Sequence, residues 1–239
     1  MRLPARFRLI VSGATARAGA VAAELPAATI TVRWGFGGLL TVAFGIALTV
    51  FSPRFGYAYE VAAMPVLWLV AGLVLAGLVY VLCLPPLIAG SLGCDRRETG
   101  WIIAAMIGAG LAARLVLFAS EPILEDDYQR YLWDGAVTAS GANPYALSPK
   151  EARAQEGPLG QLARESGDVV RRINHPELRT VYPPVTQAAF ALAYTLKPWS
   201  LAAWRSVLLI CDLTTLVLIV LLLREVGRSP LWSALYWWN

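Results

Sequence analysis

Charge is what this sequence has least of. Only 15% of its 239 residues are charged, while 57% are hydrophobic; an ordinary soluble domain is charged at about a quarter of its positions. That shortage removes the reading of one or two soluble domains that the length alone would allow. Histidine is nearly missing. His175 stands alone, so a multi-histidine metal site within the chain is excluded, and a structural place in a loop is expected for it. Three cysteines make no disulfide framework. Cys83 and Cys211 sit in apolar runs and Cys94 in a short charged connection, where packing and a free thiol are the expected roles. No basic patch is interleaved with aromatics, so no nucleic-acid partner is expected. Nor do residues 1–33 hold a clean apolar stretch of the secretory kind, because Arg17 and Glu24 interrupt it,.

What is there instead is a series of apolar runs. A membrane helix needs about 20 mostly apolar residues to cross roughly 30 Å of hydrocarbon. The runs Trp34 to Phe51, Val61 to about Leu84, Trp101 to Ala119 and Leu201 to Leu223 meet that need. Pro85 and Pro86 are expected to end or kink the second. A shorter run, Thr186 to Leu196, follows Tyr182-Pro183-Pro184, and a sixth begins at Leu231, close to the last residue, Asn239. That apolar ending is read as the N-terminal part of a longer protein. The nine Trp suit headgroup depth,. The expected fold is an all-α, polytopic transmembrane bundle with a large extracytoplasmic loop. Its expected parts are a basic cytoplasmic tail (1–33), three transmembrane helices (34–119), the loop (120–181) and further membrane helices (182–239).

The tail carries Arg2, Arg6, Arg8, Arg17 and Arg33 against Glu24 alone. The positive-inside rule keeps it cytoplasmic. The turn Ser52 to Glu60 is then outside, the link Asp95-Arg96-Arg97-Glu98 inside, and the long loop outside. One conflict arises. If the run Thr186 to Leu196 crosses fully, Arg224 and Arg228 end up outside; either that run is re-entrant or the local rule is overridden there.

The loop from Glu121 to Thr180 holds ten of the sixteen acids and seven bases. Its 60 residues far exceed an ordinary connection, and loops of such length are functional or disordered as a rule. Its first part, Glu121 to Gly135, is too aromatic for disorder. Asp126 or Asp127 can cap a helix, and Gly135 or Gly141 can end it. Asp127, Arg130, Tyr131 and Asp134 share one helical face. A short amphipathic helix at the membrane surface is expected. Gly141-Ala-Asn143-Pro144-Tyr145 is a turn. Ser148 to Asp168 reads as a solvated, mobile segment or small helices. Pro183 and Pro184 start the next helix.

Taken in order, Glu125-Asp126-Asp127-Tyr-Gln-Arg130-Tyr131-Leu-Trp133-Asp134-Gly135, then Asn143-Pro144-Tyr145, then Tyr182-Pro183-Pro184 resembles the bacterial mannosyltransferase-like members of the GT-C glycosyltransferases. The resemblance covers roughly Arg114 to Asn239. It implies a polytopic enzyme of the inner (plasma) membrane that moves a mannose-like hexose from a polyprenyl-phosphate donor to a glycan or lipid acceptor at the outer face. It also implies that a loop carboxylate is the catalytic base, here Asp127 or Asp126, with Asp127 preferred. A sugar hydroxyl is a poor nucleophile, so a carboxylate within reach to take its proton makes chemical sense. One displacement inverts the anomeric centre. Arg114, in the outer part of the third span, and Arg130 are the candidates for donor phosphate, since a guanidinium forks onto phosphate. Arg114 reads equally as a snorkelling residue. Asp134, Asn143, Tyr145 and Tyr182 are candidates for sugar or acceptor binding, although Asp134 could simply pair with Arg130 and a plain turn explains Asn143 and Tyr145. A divalent cation is possible and not required. Arg205 and Asp212, seven residues apart on the fifth span, read first as a packing pair.

Two other functions compete. A transporter or flippase-like carrier would use the loop as a cap, and would be expected to carry paired charges near the midplane and repeated halves; no internal repeat is visible here. A purely structural subunit leaves the acidic-aromatic stretch without a reason.

Overall fold

A computed structural model describes residues 27–56 and 61–239. Most of the basic tail and part of the Ser52–Glu60 turn lie outside the described residues, so the expectations placed on them stand where the sequence left them. The protein is all-helical, 71% helix, with no strand among the described residues.

Four helices are long and apolar enough to cross a membrane: α1 (Ala27–Phe51), α2 (Val66–Gly90), α3 (Arg96–Leu117) and α8 (Leu201–Glu225). They make this a membrane protein on length and composition. Their boundaries differ from the apolar runs for local reasons. α1 begins seven residues before Trp34. α2 starts late, because Val61–Ala63 is a 3-10 turn and Pro65 takes the cap position. It then runs through Pro85 and Pro86 to Gly90. Burial of Leu84 and Ile88 holds that last stretch in place, and the Trp34 indole donates to Ser91 Oγ (2.8 Å) just beyond it. α3 starts five residues before Trp101, because the charged link is itself a cap. Asp95 accepts from the Glu98 amide and Glu98 reaches back to the Asp95 amide, a reciprocal capping box.

The remaining helices are short: α4 (Tyr128–Ala139), α5 (Pro149–Arg153), α6 (Pro158–Glu165), α7 (Pro184–Leu196) and α9 (Ala234–Trp237). α7 has 13 residues. At 1.5 Å per residue it is about 20 Å long, short of the roughly 30 Å hydrocarbon core. The expected sixth span is only a 3-10 turn, Pro230–Ser233, followed by α9.

Two compact units divide the described residues: 27–54, 61–120 and 215–239 in one, and 55–56 and 121–214 in the other. In the first, α1 and α3 pack along their length. Thr49 Oγ1 donates to the Val116 carbonyl (3.3 Å). The terminal segment lies against the same helices: Trp237 and Trp238 donate their indole N–H groups to the carbonyls of Ile107 (3.0 Å) and Met106 (2.9 Å). The Trp237 ring occupies the space where Gly110 lacks a side chain.

The second unit joins the loop to α7 and the first half of α8, so the expected border at residue 182 does not separate compact parts. α4 and α7 are its centre. Gly135 lets them approach, since a Cβ there would collide with the Phe190 carbonyl. Gly135 is therefore a packing position. It is Gly141, with φ of +80°, that follows the helix end at Ser140, as a left-handed residue beyond a C-cap should. The segment Ser148 to Asp168 folds into α5 and α6. Ala152 and Ala163 join Trp133, Val137, Val170 and Ile173 in a small apolar core. Of the two expectations for this segment, small helices are what is seen. α4 is largely covered by the protein itself. Gln129 to Val137 are buried apart from Tyr131, which is half-buried.

Candidate functional site

The acidic run enters α4 through a strained residue. Leu124 has φ of +53°, a conformation that a bulky side chain rarely adopts and that is found where the surroundings over-determine it, often at functional sites. It is followed by Glu125 and Asp126, both exposed, and Asp127, half-buried. Asp127 occupies the N-cap position of α4, yet its side chain makes no capping bond. Its carboxylate instead accepts a hydrogen bond from the Tyr182 hydroxyl, 2.9 Å from Oδ2 and 55 residues away in sequence.

Tyr182 is the meeting point of the three motifs. Its hydroxyl meets the acidic run. Its backbone carbonyl accepts a bond from the Tyr145 hydroxyl (2.7 Å), and Tyr145 belongs to the Asn-Pro-Tyr turn, where Asn143 Oδ1 accepts from the Tyr145 amide (2.9 Å). Pro183 and Pro184 follow as the cap and first residue of α7. The Tyr182 ring lies edge-on to Tyr131 (5.3 Å) and to Phe190 (5.4 Å). Tyr131 stacks on Phe190 (4.8 Å, 13° between planes), and Trp204 from α8 closes the group, 5.0 Å from Phe190.

The Tyr131 hydroxyl also donates to Glu125 Oε1 at 3.3 Å. Burial, then the Asp127 carboxylate, then Tyr131 push the Tyr182 phenol far above its ordinary range. It therefore keeps its proton at any working pH and acts as a donor. Tyr131 is also raised, mainly by burial.

Comparison with known families, curated proteins and solved structures gives no match. The reading of the site rests on its own residues.

Four expected site residues, Asp127, Asn143, Tyr145 and Tyr182, are thus brought together. Asp126 is next to them, its carboxylate exposed. Arg130 and Asp134 are placed differently. Arg130 is 7% exposed and Asp134 2%. Arg130 Nε donates to Asp134 Oδ1 (2.9 Å) and its Nη2 to the Leu178 carbonyl (3.0 Å). The other carboxylate oxygen accepts from Gln187 Nε2 (3.2 Å), which also donates to Thr180 Oγ1 (2.9 Å). Thr138 donates to the Gln187 carbonyl oxygen (3.4 Å). Arg130 and Asp134 therefore belong to a buried pair rather than to an open phosphate or sugar site, because their i, i+4 spacing lets them satisfy each other first.

Arg114 lies in the other unit. Its guanidinium stacks on the Trp237 ring, 3.7 Å from the centroid, and donates to the carbonyls of Gly110 (3.1 Å) and Trp237 (2.8 Å). It faces protein instead of snorkelling. Arg205 is half-buried on α8, with Glu121 and Tyr128 as electrostatic neighbours. Asp212 is half-buried on the same helix. His175 is exposed, at φ of +52°, beside Glu177 (3.5 Å), as a loop residue. Among the described residues no three His, Cys, Asp or Glu cluster as metal ligands would. A surface cavity of about 340 Å³ is lined by residues of α6 and the Ser140–Ala142 turn; none of the motif residues lines it.

Tyr131, Phe190, Trp204 and Gln187 carry this arrangement and were not singled out as site residues from sequence. Tyr131 could have been found, since it shares the face of Asp127. The other three act across 50 or more residues, and nothing local marks them.

Proposed function

We propose that this chain is a membrane glycosyltransferase, similar in mechanism to the GT-C enzymes that its motifs resemble. It transfers a mannose-like hexose from a polyprenyl-phosphate donor to a glycan or lipid acceptor. One observation carries the reading: three motifs meet at Tyr182, whose hydroxyl donates across 55 residues to Asp127, a carboxylate that its own helix does not use for capping.

In this reading an acceptor hydroxyl attacks the anomeric carbon while Asp127 takes its proton. The bond to the phosphate oxygen breaks, and its electron pair leaves with the polyprenyl phosphate. The centre inverts. No step is routed through a metal ion. The phosphate needs cationic stabilisation. Arg130 is engaged in the buried pair, so this role does not fall to it, and Arg114 would have to leave Trp237 to serve.

The membrane is the inner (plasma) membrane, with the tail cytoplasmic and the loop at the outer face. The shortness of α7 supports a re-entrant path. α8 then crosses from outside to inside, and Arg224 and Arg228 return to the cytoplasmic side, which removes the conflict with the positive-inside rule.

The test is sugar transfer by the full chain in proteoliposomes, with radiolabelled polyprenyl-phosphate mannose as donor and a membrane glycolipid extract as acceptor. Asp127→Asn should lower the rate by about a hundred-fold or more, the range for loss of a general base. Asp126→Asn should lower it less. Undiminished transfer by both variants overturns the reading.

A further inference from the structure

We infer that Tyr182 is the positioning residue of the Asp127 carboxylate: its phenol holds Oδ2 and leaves Oδ1 to receive the proton of the attacking hydroxyl. This rests on the transfer reaction proposed above and adds what holds its base in place.

Asp127 has two rotatable side-chain bonds, and its carboxylate makes no capping bond to its own helix. The hydrogen bond from Tyr182, at 2.9 Å, is what orients it. The donor is itself held on every side. Its ring packs edge-on against the stacked pair of Tyr131 and Phe190. Its carbonyl is tied to the Tyr145 hydroxyl. Pro183 restricts its backbone, since a residue before proline is confined to extended conformations. Beside it, Tyr131 is itself held by a hydrogen bond from its hydroxyl to Glu125. A donor fixed before the reaction needs no reorganisation during it. Misplacement of a reacting group by about 1 Å can cost a hundred-fold in rate.

The protons balance. Tyr182 donates a hydrogen bond throughout and keeps its proton. The acceptor proton goes to Oδ1, the new glycosidic C–O bond forms, and the old C–O bond leaves its pair on the phosphate. Tyr182 is thus distinguished from a sugar-binding residue. A sugar-binding phenol would act on substrate affinity. A positioning phenol acts on the chemical step, and only through Asp127.

The experiment is a double-mutant cycle in the full chain, with the transfer assay above. Tyr182→Phe keeps the ring and its packing. It should lower kcat roughly 10- to 100-fold, the range for a lost hydrogen bond to a charged group, while KM for the donor stays within about twofold. In an Asp127→Asn background the same change should have no further effect, because the two residues act as a unit. A fluorotyrosine at position 182 preserves packing and changes only the strength of the donor; kcat should move while KM and thermal unfolding do not. Three results overturn the inference: a normal kcat for Tyr182→Phe while Asp127→Asn is inactive, losses that multiply in the double variant, or an effect confined to KM. Each leaves the carboxylate reading standing. Full transfer by Asp127→Asn removes that reading, and the inference with it.

Discussion

Arg130 and Asp134 form an ion pair inside the second unit, with the remaining carboxylate oxygen met by Gln187 and a second guanidinium nitrogen met by the Leu178 carbonyl. Removing one partner of such a pair leaves a buried charge uncompensated. Asp134→Ala should therefore destabilise the unit by about 3–5 kcal/mol. Replacing both partners, as in Arg130→Met with Asp134→Leu, should be much milder. Thermal unfolding in detergent compares the two, and equal losses would show that the pair is not what matters. The i, i+4 spacing made this pair legible from sequence. Its completion by Gln187 was not, because a hydrogen bond across 53 residues leaves no local pattern. The same limit applies to Asp127. Its position at a helix start was readable, but the bond that takes its side chain away from the cap comes from Tyr182.

At the scale of elements, ends proved as legible as starts: the apolar runs give Phe51 and Leu196 as the last residues of α1 and α7, whereas α1 and α3 begin seven and five residues before their runs. Pro184 at the first turn of α7 stands where the sequence puts it. The capping boxes Asp95/Glu98 and Ser148/Glu151 both occur, and each follows the pattern of a short polar cap with Glu three residues on. In the second box the Ser148 amide and hydroxyl hold the Glu151 carboxyl below its ordinary value. Packing between elements was less legible, because it depends on what a residue lacks. Gly135 faces the backbone of Phe190, which cannot turn aside as a flexible side chain would. Gly135→Val should separate α4 from α7, at the upper end of the roughly 1–3 kcal/mol typical of overpacking. It should also weaken transfer by moving Asp127 away from Tyr182. Thermal unfolding together with the transfer assay checks both, and a variant with unchanged stability would mean the helices are not in tight contact there.

At the scale of the molecule, length and apolarity were enough to find the four long helices, because a bilayer imposes both. Their windows are only 6% to 22% buried within the chain, so most of their surface is left to lipid or to further protein. Sidedness is open to a direct test in intact cells with a membrane-impermeant maleimide. A single cysteine at Glu156→Cys should be labelled from outside. Arg228→Cys and the native Cys94 should be labelled only after permeabilisation. Burial first, then Glu98 and Asp95, raise the Cys94 thiol, so it should label more slowly than the introduced cysteines. Labelling of Arg228→Cys in intact cells would mean that α7 crosses after all.

The bond from Tyr145 to the Tyr182 carbonyl has a consequence for how such a protein can change over time. It closes 37 residues of chain into a side lobe with a shared neck. Chain closure depends only weakly on length: doubling the enclosed segment adds about 0.6 kcal/mol. The exposed stretch 153–158 can therefore be lengthened, shortened or exchanged, whereas Ala152, Ala163, Val170, Ile173, Leu178 and Thr180 are tied to α4 and to Gln187 and must stay. Natural variation in what the protein recognises should collect on that exposed stretch and spare the residues that anchor it.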